Sequence, residues 1–312
     1  MIKMNKNKDM ILHKKVHKIT PRERSQTKWG YFFIAPAIIG LLCFNLGPML
    51  FSMAISFTKW DVISSKEFVG LENYINLLKD PLVIKSLNVT AYYTLLSVPL
   101  VTFIPLLLAM LLNTKIKGVS IFRTIFYIPS IVPAVASAAI WMYLYNPMNG
   151  LLNSILKSAG FRSHNFIFSP TEVIPSLAIM AVWAAGNTVV IYLAGLQGIS
   201  RQLYEAAEID GANSFIKFKN ITVPMMTPVI FYNFVMSIIS SMQTFTQAYI
   251  MTDGGPANAS LFYSLLIYRM AFKQSKMGYA SAMSWLLFII IAILTAIVFK
   301  TSNKWVFYEN GE

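Results

Sequence analysis

The run SLNVTAYYTLLSVPLVTFIPLLLAMLLNT, residues 86–114, decides the fold: it holds 29 residues between Lys85 and Lys115 without one Asp, Glu, Lys or Arg. About 20 apolar residues in a helix cross the ~30 Å hydrocarbon core of a bilayer, and this run contains such a stretch. Five further charge-free runs flank it, at residues 29–58, 124–156, 173–200, 220–252 and 277–299; the next longest, 254–268, has only 15 residues. The 39 charged residues crowd into the segments between these runs. A transmembrane barrel would alternate apolar and polar residues over about 10 positions, and residues 285–297, nearly all apolar, do not alternate. The pattern predicts an all-α, polytopic membrane protein with six spans, near residues 31–57, 87–112, 124–145, 173–196, 227–250 and 280–299.

Composition agrees. The 312 residues are 56% hydrophobic and 12% charged, with a mean hydropathy of +0.57, against about 25% charged in ordinary soluble domains. A buried helix of a soluble protein could explain one such run, not six. The lone Cys43 excludes an internal disulfide, and His13, His17 and His164 are too few and scattered for a metal cluster. Lys and Arg bias sets the orientation. Residues 1–28 carry nine of them; with that tail inside, 17 fall on the inner side and 9 on the outer. Both termini are therefore expected in the cytoplasm. The predicted layout is a basic tail (1–28), a membrane domain (29–300) with a cytoplasmic loop at 200–226, and a second tail (301–312). The basic tail has no interleaved aromatics, so it reads as an arm on the inner leaflet facing membrane lipid, not a nucleic-acid site. No signal peptide is read ahead of the first span.

Several chemistries are missing. No Asp, Glu, His, Lys or Arg lies inside any predicted span, which argues against a proton relay, an intramembrane metal site or a membrane-embedded enzyme. No GxxxxGK[ST] loop is present, so nucleotide hydrolysis would have to come from a partner. Prolines recur in five of the six runs, either as packing kinks or as interruptions along a path. The polar residues at depth are neutral: Asn187 and Thr188 in the fourth run, and Ser237, Ser240, Ser241, Gln243, Thr244 and Gln247 in the fifth. Residues 237, 240, 241 and 244 follow i, i+3, i+4, i+7 spacing, one helical stripe. On spacing alone the stripe reads as close helix packing by small hydroxyl residues, with a ligand-facing stripe as the alternative.

The loop between the fourth and fifth runs reads YEAAEIDGANSFIKFKNITVPMMTP, residues 204–228. Ser200 is placed to cap a short helix over residues 201–209. Asp210-Gly211 supplies a stop, and Asn213 or Ser214 can cap a second short helix before Pro224 starts the return to the membrane. The result is a bent helix pair with an Ala-rich face and an acidic edge, shaped as a docking knob.

This segment resembles the EAA loop of ABC importer permeases: Glu205, Ala206, Ala207 and Gly211 match, with Ile221, Val223 and Pro224 at the distal end. Residues 35–61, 68–81, 127–153, 251–260, 267–272 and 277–285 are similar to carbohydrate-uptake permeases of the larger maltose-permease kind. The resemblance implies a type I ABC importer permease fold in a bacterial inner membrane. It assigns coupling to a cytoplasmic ATPase to Tyr204, Glu205, Ala206, Ala207, Asp210, Gly211 and Pro224. It further implies a second, homologous permease, two copies of the ATPase, and an extracellular or periplasmic sugar-binding protein. No cofactor is implied for this chain itself, since ATP and Mg belong to the ATPase. In the resembled family the helix before the GGP segment helps hold the sugar, which turns Ser237, Ser240, Ser241 and Thr244 into pathway candidates, with Trp183 and Asn187 as neighbours. Where maltose relatives carry asparagines this chain has Ser241 and Thr244, so the sugar need not be the same.

The expected function is transport, not catalysis. Rival readings are an importer for a polyol, glycerol phosphate, phosphate or amino acid, a membrane enzyme, and a passive channel. An anionic cargo would call for Lys or Arg at depth, an enzyme for carboxylates or histidines there, and a channel has no use for an ATPase-docking knob.

Overall fold

A computed structural model describes residues 21–63, 65–114 and 116–307. Most of the basic tail, and residues 308–312 of the second tail, lie outside the described residues. The chain divides into two compact units, Met1–Ala54 and Ile55–Glu312. In the first, α1 (Pro21–Leu41) passes through a π-helical turn, Leu42–Leu46, into α2 (Gly47–Ser56). Pro48 lacks an N–H and its ring would collide with the carbonyl one turn earlier, the local conflict that a π turn relieves.

The second unit opens with a two-stranded ribbon, β1 (Thr58–Lys59) against β2 (Glu67–Phe68), antiparallel with Thr58 opposite Phe68. The amphipathic α3 (Glu72–Lys79) follows, close to the short helix that the spacing of Leu71 to Leu78 predicts. Asn73 on α3 donates both amide hydrogens, to Ser56 O (2.8 Å) and Thr58 O (2.9 Å). Asp80 then caps α4 (Pro81–Leu112), its carboxylate accepting from Leu82 N–H at 2.8 Å with Pro81 in the first turn.

The third apolar run is two helices, α5 (Val119–Ile131) and α6 (Ala134–Leu144), bent by 103° at Val132-Pro133. After α7 (Leu151–Ser158), the fourth run is likewise two helices, α8 (Val173–Trp183) and α9 (Gly186–Gly198), bent by 48°. Two short helices, α10 (Arg201–Ile209) and α11 (Ser214–Lys217), form the loop, and a π turn at Phe218–Thr222 leads into α12 (Val223–Met242). The chain closes with α13 (Tyr263–Tyr268) and α14 (Met277–Ser302). Among the described residues, four helices are long and apolar enough to cross a membrane, and six spans result if each bent pair is one.

Two expectations need correction. The spans at 124–145 and 173–196 are not single straight helices. The predicted helix over 227–250 ends at Met242, so Thr244 lies beyond it and the four-residue stripe is not one helical face. Hydroxyls bonding back onto their own helix contribute: Ser241 Oγ donates to Ile238 O (3.0 Å) and Thr244 Oγ1 to Ser240 O (3.5 Å). Such back-bonding competes with the helical ladder and bends it.

Packing centres on α4, which lies against α8, α9 and α12, while α5 lies against α9. In lipid there is no gain from hiding apolar surface between helices, so close approach and polar contacts hold the bundle. The core shows both. Ala109, Ala138, Ala178 and Ala282 are fully buried. Gly186 admits the α5 backbone so closely that a Cβ there would stand 2.3 Å from Phe126 O. The buried Thr90 hydroxyl donates to Ser86 O (2.8 Å) and accepts the Tyr263 N–H that opens α13 (2.9 Å).

Candidate functional site

Two places in the second unit hold the polar residues that the sequence singles out. The first is the elbow of α10 and α11. Ser200 Oγ accepts from Gln202 N–H (3.3 Å) and Asn213 Oδ1 from Ile216 N–H (2.9 Å), so both predicted caps are in place. Gly211 takes φ +78°. Around it Ala212 N–H donates to Ala207 O (2.8 Å) and Gly211 N–H to Glu208 O (3.1 Å), the bond pair of a Schellman stop. Glu205, Ala206 and Asp210 are exposed and Ala207 is half-buried.

Two side-chain contacts stiffen the elbow. Lys217 Nζ lies 2.8 Å from Glu208 Oε1, joining α11 to α10, and this hydrogen bond and charge hold the Glu208 carboxyl below its ordinary range. The Tyr204 hydroxyl lies 2.9 Å from Thr222 Oγ1, the last residue of the π turn. Tyr204, Ile221 and Met225 pack on a buried cluster that includes Leu106, Leu112 and Tyr192. The half-buried Pro224 sits in the first turn of α12. Composition marked the alanines, but the most exposed apolar side chains of the elbow are Ile209 (87%) and Phe215 (69%). They stand at the two helix ends beside the Gly211 stop, where hydrophobic periodicity carries no signal.

The second place is a cavity of about 420 Å³ between α4, the α8–α9 bend and the end of α12. Ser237, Ser240, Ser241 and Thr244 line it, as do Asn233 and Thr188. Gln243, Phe245, Thr246 and Gln247, from the segment after α12, line it too. The bend and the end of α12 thus supply much of the wall. From α4 come Tyr93 and Ser97, one turn apart, which sequence reasoning missed because they sit inside an apolar run with no charge beside them. Ser97 Oγ is buried. Among the described residues, no charged side chain lines the cavity.

Trp183 and Asn187 are not among its lining residues. Trp183 packs edge-on against Trp141 with centroids 5.8 Å apart, and Asn187 is exposed. Helical geometry explains the exchange: Thr188 follows Asn187 by one residue and so faces about 100° away from it. A smaller cavity of about 120 Å³ adjoins under the Val132-Pro133 break and shares Tyr93, Ala181, Ala184 and Gln247 with the larger. Chemically the wall offers hydroxyls, amides and two aromatic rings. Ser241 Oγ already donates to Ile238 O and Thr244 Oγ1 lies 3.5 Å from Ser240 O, which leaves each hydroxyl oxygen lone-pair capacity as an acceptor. Among the described residues no three His, Cys, Asp or Glu side chains come together as a metal site.

Comparison with known proteins gives consistent matches. Residues 84–306 match the family model described as binding-protein-dependent transport system inner membrane component. The chain is 42% identical to the probable ABC transporter permease protein YesP of Bacillus subtilis, over 91% of this chain and 93% of that protein. It is 35% identical to the trehalose/maltose transport system permease protein MalF of Thermococcus litoralis, over 89% and 95%. Among solved structures, a chain of a bacterial alginate ABC transporter in complex with its alginate pentasaccharide-bound periplasmic protein superposes with a TM-score of 0.81 at 21% identity. That superposition covers 91% of this chain and 96% of the other, and it shows the shared permease fold. An elbow of this form, a bundle of bent apolar helices and a family model spanning most of the chain agree: the protein belongs to the inner-membrane permease components of binding-protein-dependent ABC transport systems.

Proposed function

We propose that this permease carries an uncharged sugar, an oligosaccharide in particular, inward across a bacterial cell membrane by alternating access, with both its termini in the cytoplasm. It works as one of two homologous membrane subunits, driven by two copies of an ATPase that hold ATP and Mg²⁺, and receives cargo from an extracellular or periplasmic binding protein. Glu205, Ala206, Ala207, Asp210 and Gly211 form the surface that the ATPase moves, and Tyr204 and Pro224 tie it to α12. Ser237, Ser240, Ser241 and Thr244, joined by Tyr93 and Ser97, replace the water shell of the sugar, while aromatic rings cover its apolar face. Trp183 and Asn187 stay as neighbours of this wall.

The observation that carries this reading is a cavity walled by hydroxyls, amides and aromatic rings and, among the described residues, without a single charge, in a chain whose relatives are named for trehalose and maltose and for arabinooligosaccharides. A phosphate or carboxylate cargo would require cations there. The test is ATPase activity of the complex reconstituted in lipid with its binding protein. Stimulation by neutral oligosaccharides is expected; stimulation only by phosphate esters or amino acids overturns the reading.

A further inference from the structure

Beyond the cavity, the segment after α12 and the end of α13 bring together a cluster of aromatic rings for which the transport reading has no use. Phe245, which lines the cavity, stacks on Tyr249 with centroids 5.3 Å apart and planes 12° from parallel. Tyr268 contacts both rings at 5.2 Å, closing a triangle with them, and Phe272 extends it as a row 5.3 Å beyond Tyr268. The row leads from the cavity wall outward: Phe245 and Tyr268 are half-buried, Tyr249 is 36% exposed and Phe272 67%. Its outer end is edged with planar and charged groups. Arg269 Nη2 lies 3.1 Å from Asp253 Oδ1, and Lys273 Nζ lies 3.7 Å from Asp253 Oδ2 and 5.6 Å from the Tyr249 ring centroid.

We propose that Phe245, Tyr249, Tyr268 and Phe272, edged by Asp253, Arg269 and Lys273, form an auxiliary carbohydrate subsite along which successive sugar rings pass to the cavity. The proposal rests on the sugar reading above. A pyranose has apolar C–H faces and a rim of hydroxyls. Aromatic faces match the first, and carboxylate and guanidinium edges, which accept and donate in fixed planes, match the second. From Phe245 through Tyr268 to Phe272 the centroids step by 5.2 and 5.3 Å, similar to the width of one such ring, so this line, with Tyr249 beside it, suits a chain of sugars better than a single unit. Continuity with the cavity through Phe245 sets it apart from a belt of rings facing lipid headgroups.

The test uses the complete transporter, with its binding protein, in nanodiscs and a panel of glucose-, xylose- and arabinose-based oligosaccharides of two to five units. For any series that stimulates ATP hydrolysis, Tyr249→Ala and Phe272→Ala should raise the half-saturating concentration roughly tenfold for trisaccharides and longer, and by less than about twofold for disaccharides. Tyr249→Trp should retain near-normal values. Equal losses at every length, no change at any length, or a Trp variant no better than Ala would show that the rings only pack the fold or meet lipid, and overturn the subsite alone. A transporter that accepts only monosaccharides overturns it too, because one ring leaves no second to stack. If no sugar stimulates the wild-type complex, the sugar reading fails first and the subsite falls with it.

Discussion

Gly211 holds the elbow at a backbone angle, φ +78°, that a β-branched residue enters at a cost of about 1–2 kcal/mol. Gly211→Val should therefore unseat the stop between α10 and α11, and sugar-dependent ATPase activity of the reconstituted complex should fall while Gly211→Asn keeps most of it. Unchanged coupling in the Val variant would remove the elbow from the mechanism. Glu208 gives a prediction with a sign. Lys217 holds its carboxyl below the ordinary range, so the bridge contributes above the unfolded carboxylate pKa of about 4.3 and is lost as pH falls through the depressed folded value. Protection factors of the amides of residues 201–217, exchange being referred to its intrinsic rate at each pH, should thus stay level from neutral pH down to that window and fall below it, and Lys217→Met should abolish the step. The caps at Ser200 and Asn213 were legible in the sequence because a cap needs only its own next three residues. The Glu208–Lys217 bridge, nine positions apart, depends on the turn angle that Gly211 sets and could not be read in advance.

Among the elements, breaks matter more than lengths. The bend at Val132-Pro133 was foreshadowed by proline. The bend between Trp183 and Gly186 has no such marker, and the early end of α12 depends on hydroxyls that bond backward. For the same reason the cavity was half legible. Ser237, Ser240 and Ser241 stood out as polar residues in an apolar run, whereas Tyr93 and Ser97 join them only because α4 packs on α12. The α5–α9 contact gives a direct check. Gly186→Ala would place a methyl 2.3 Å from Phe126 O, and overpacking of this kind costs about 1–3 kcal/mol; a lowered thermal midpoint in detergent should report it. The Tyr204–Thr222 hydroxyl pair should behave as a strut. Tyr204→Phe removes a hydrogen bond worth about 1 kcal/mol without unfolding α10. The variant should still bind the ATPase while sugar stimulates hydrolysis less, and full stimulation would show the pair to be incidental.

For the whole molecule, composition and charge spacing were enough to establish a multi-pass helical membrane protein, since lipid tolerates few alternatives. They could not place the division between Ala54 and Ile55, which falls inside an uninterrupted apolar run. Sidedness rests on Lys and Arg bias and can be tested directly, because Cys43 is the single cysteine of the chain. In a Cys43→Ser background, Phe215→Cys should react with a membrane-impermeant maleimide in inside-out vesicles and not in intact cells. The reverse pattern would invert the topology and sink the coupling proposal. One feature sets a scale for motion. Residues Ser214–Met242 form a single helical stretch of 29 residues from the elbow to the cavity, roughly 43 Å at 1.5 Å per residue. Pivoting such a rod by ~5° about one end carries the other through nearly 4 Å, more than a hydrogen-bond length. In the proposed cycle, so small a tilt at the elbow is leverage enough to part a sugar hydroxyl from the cavity wall.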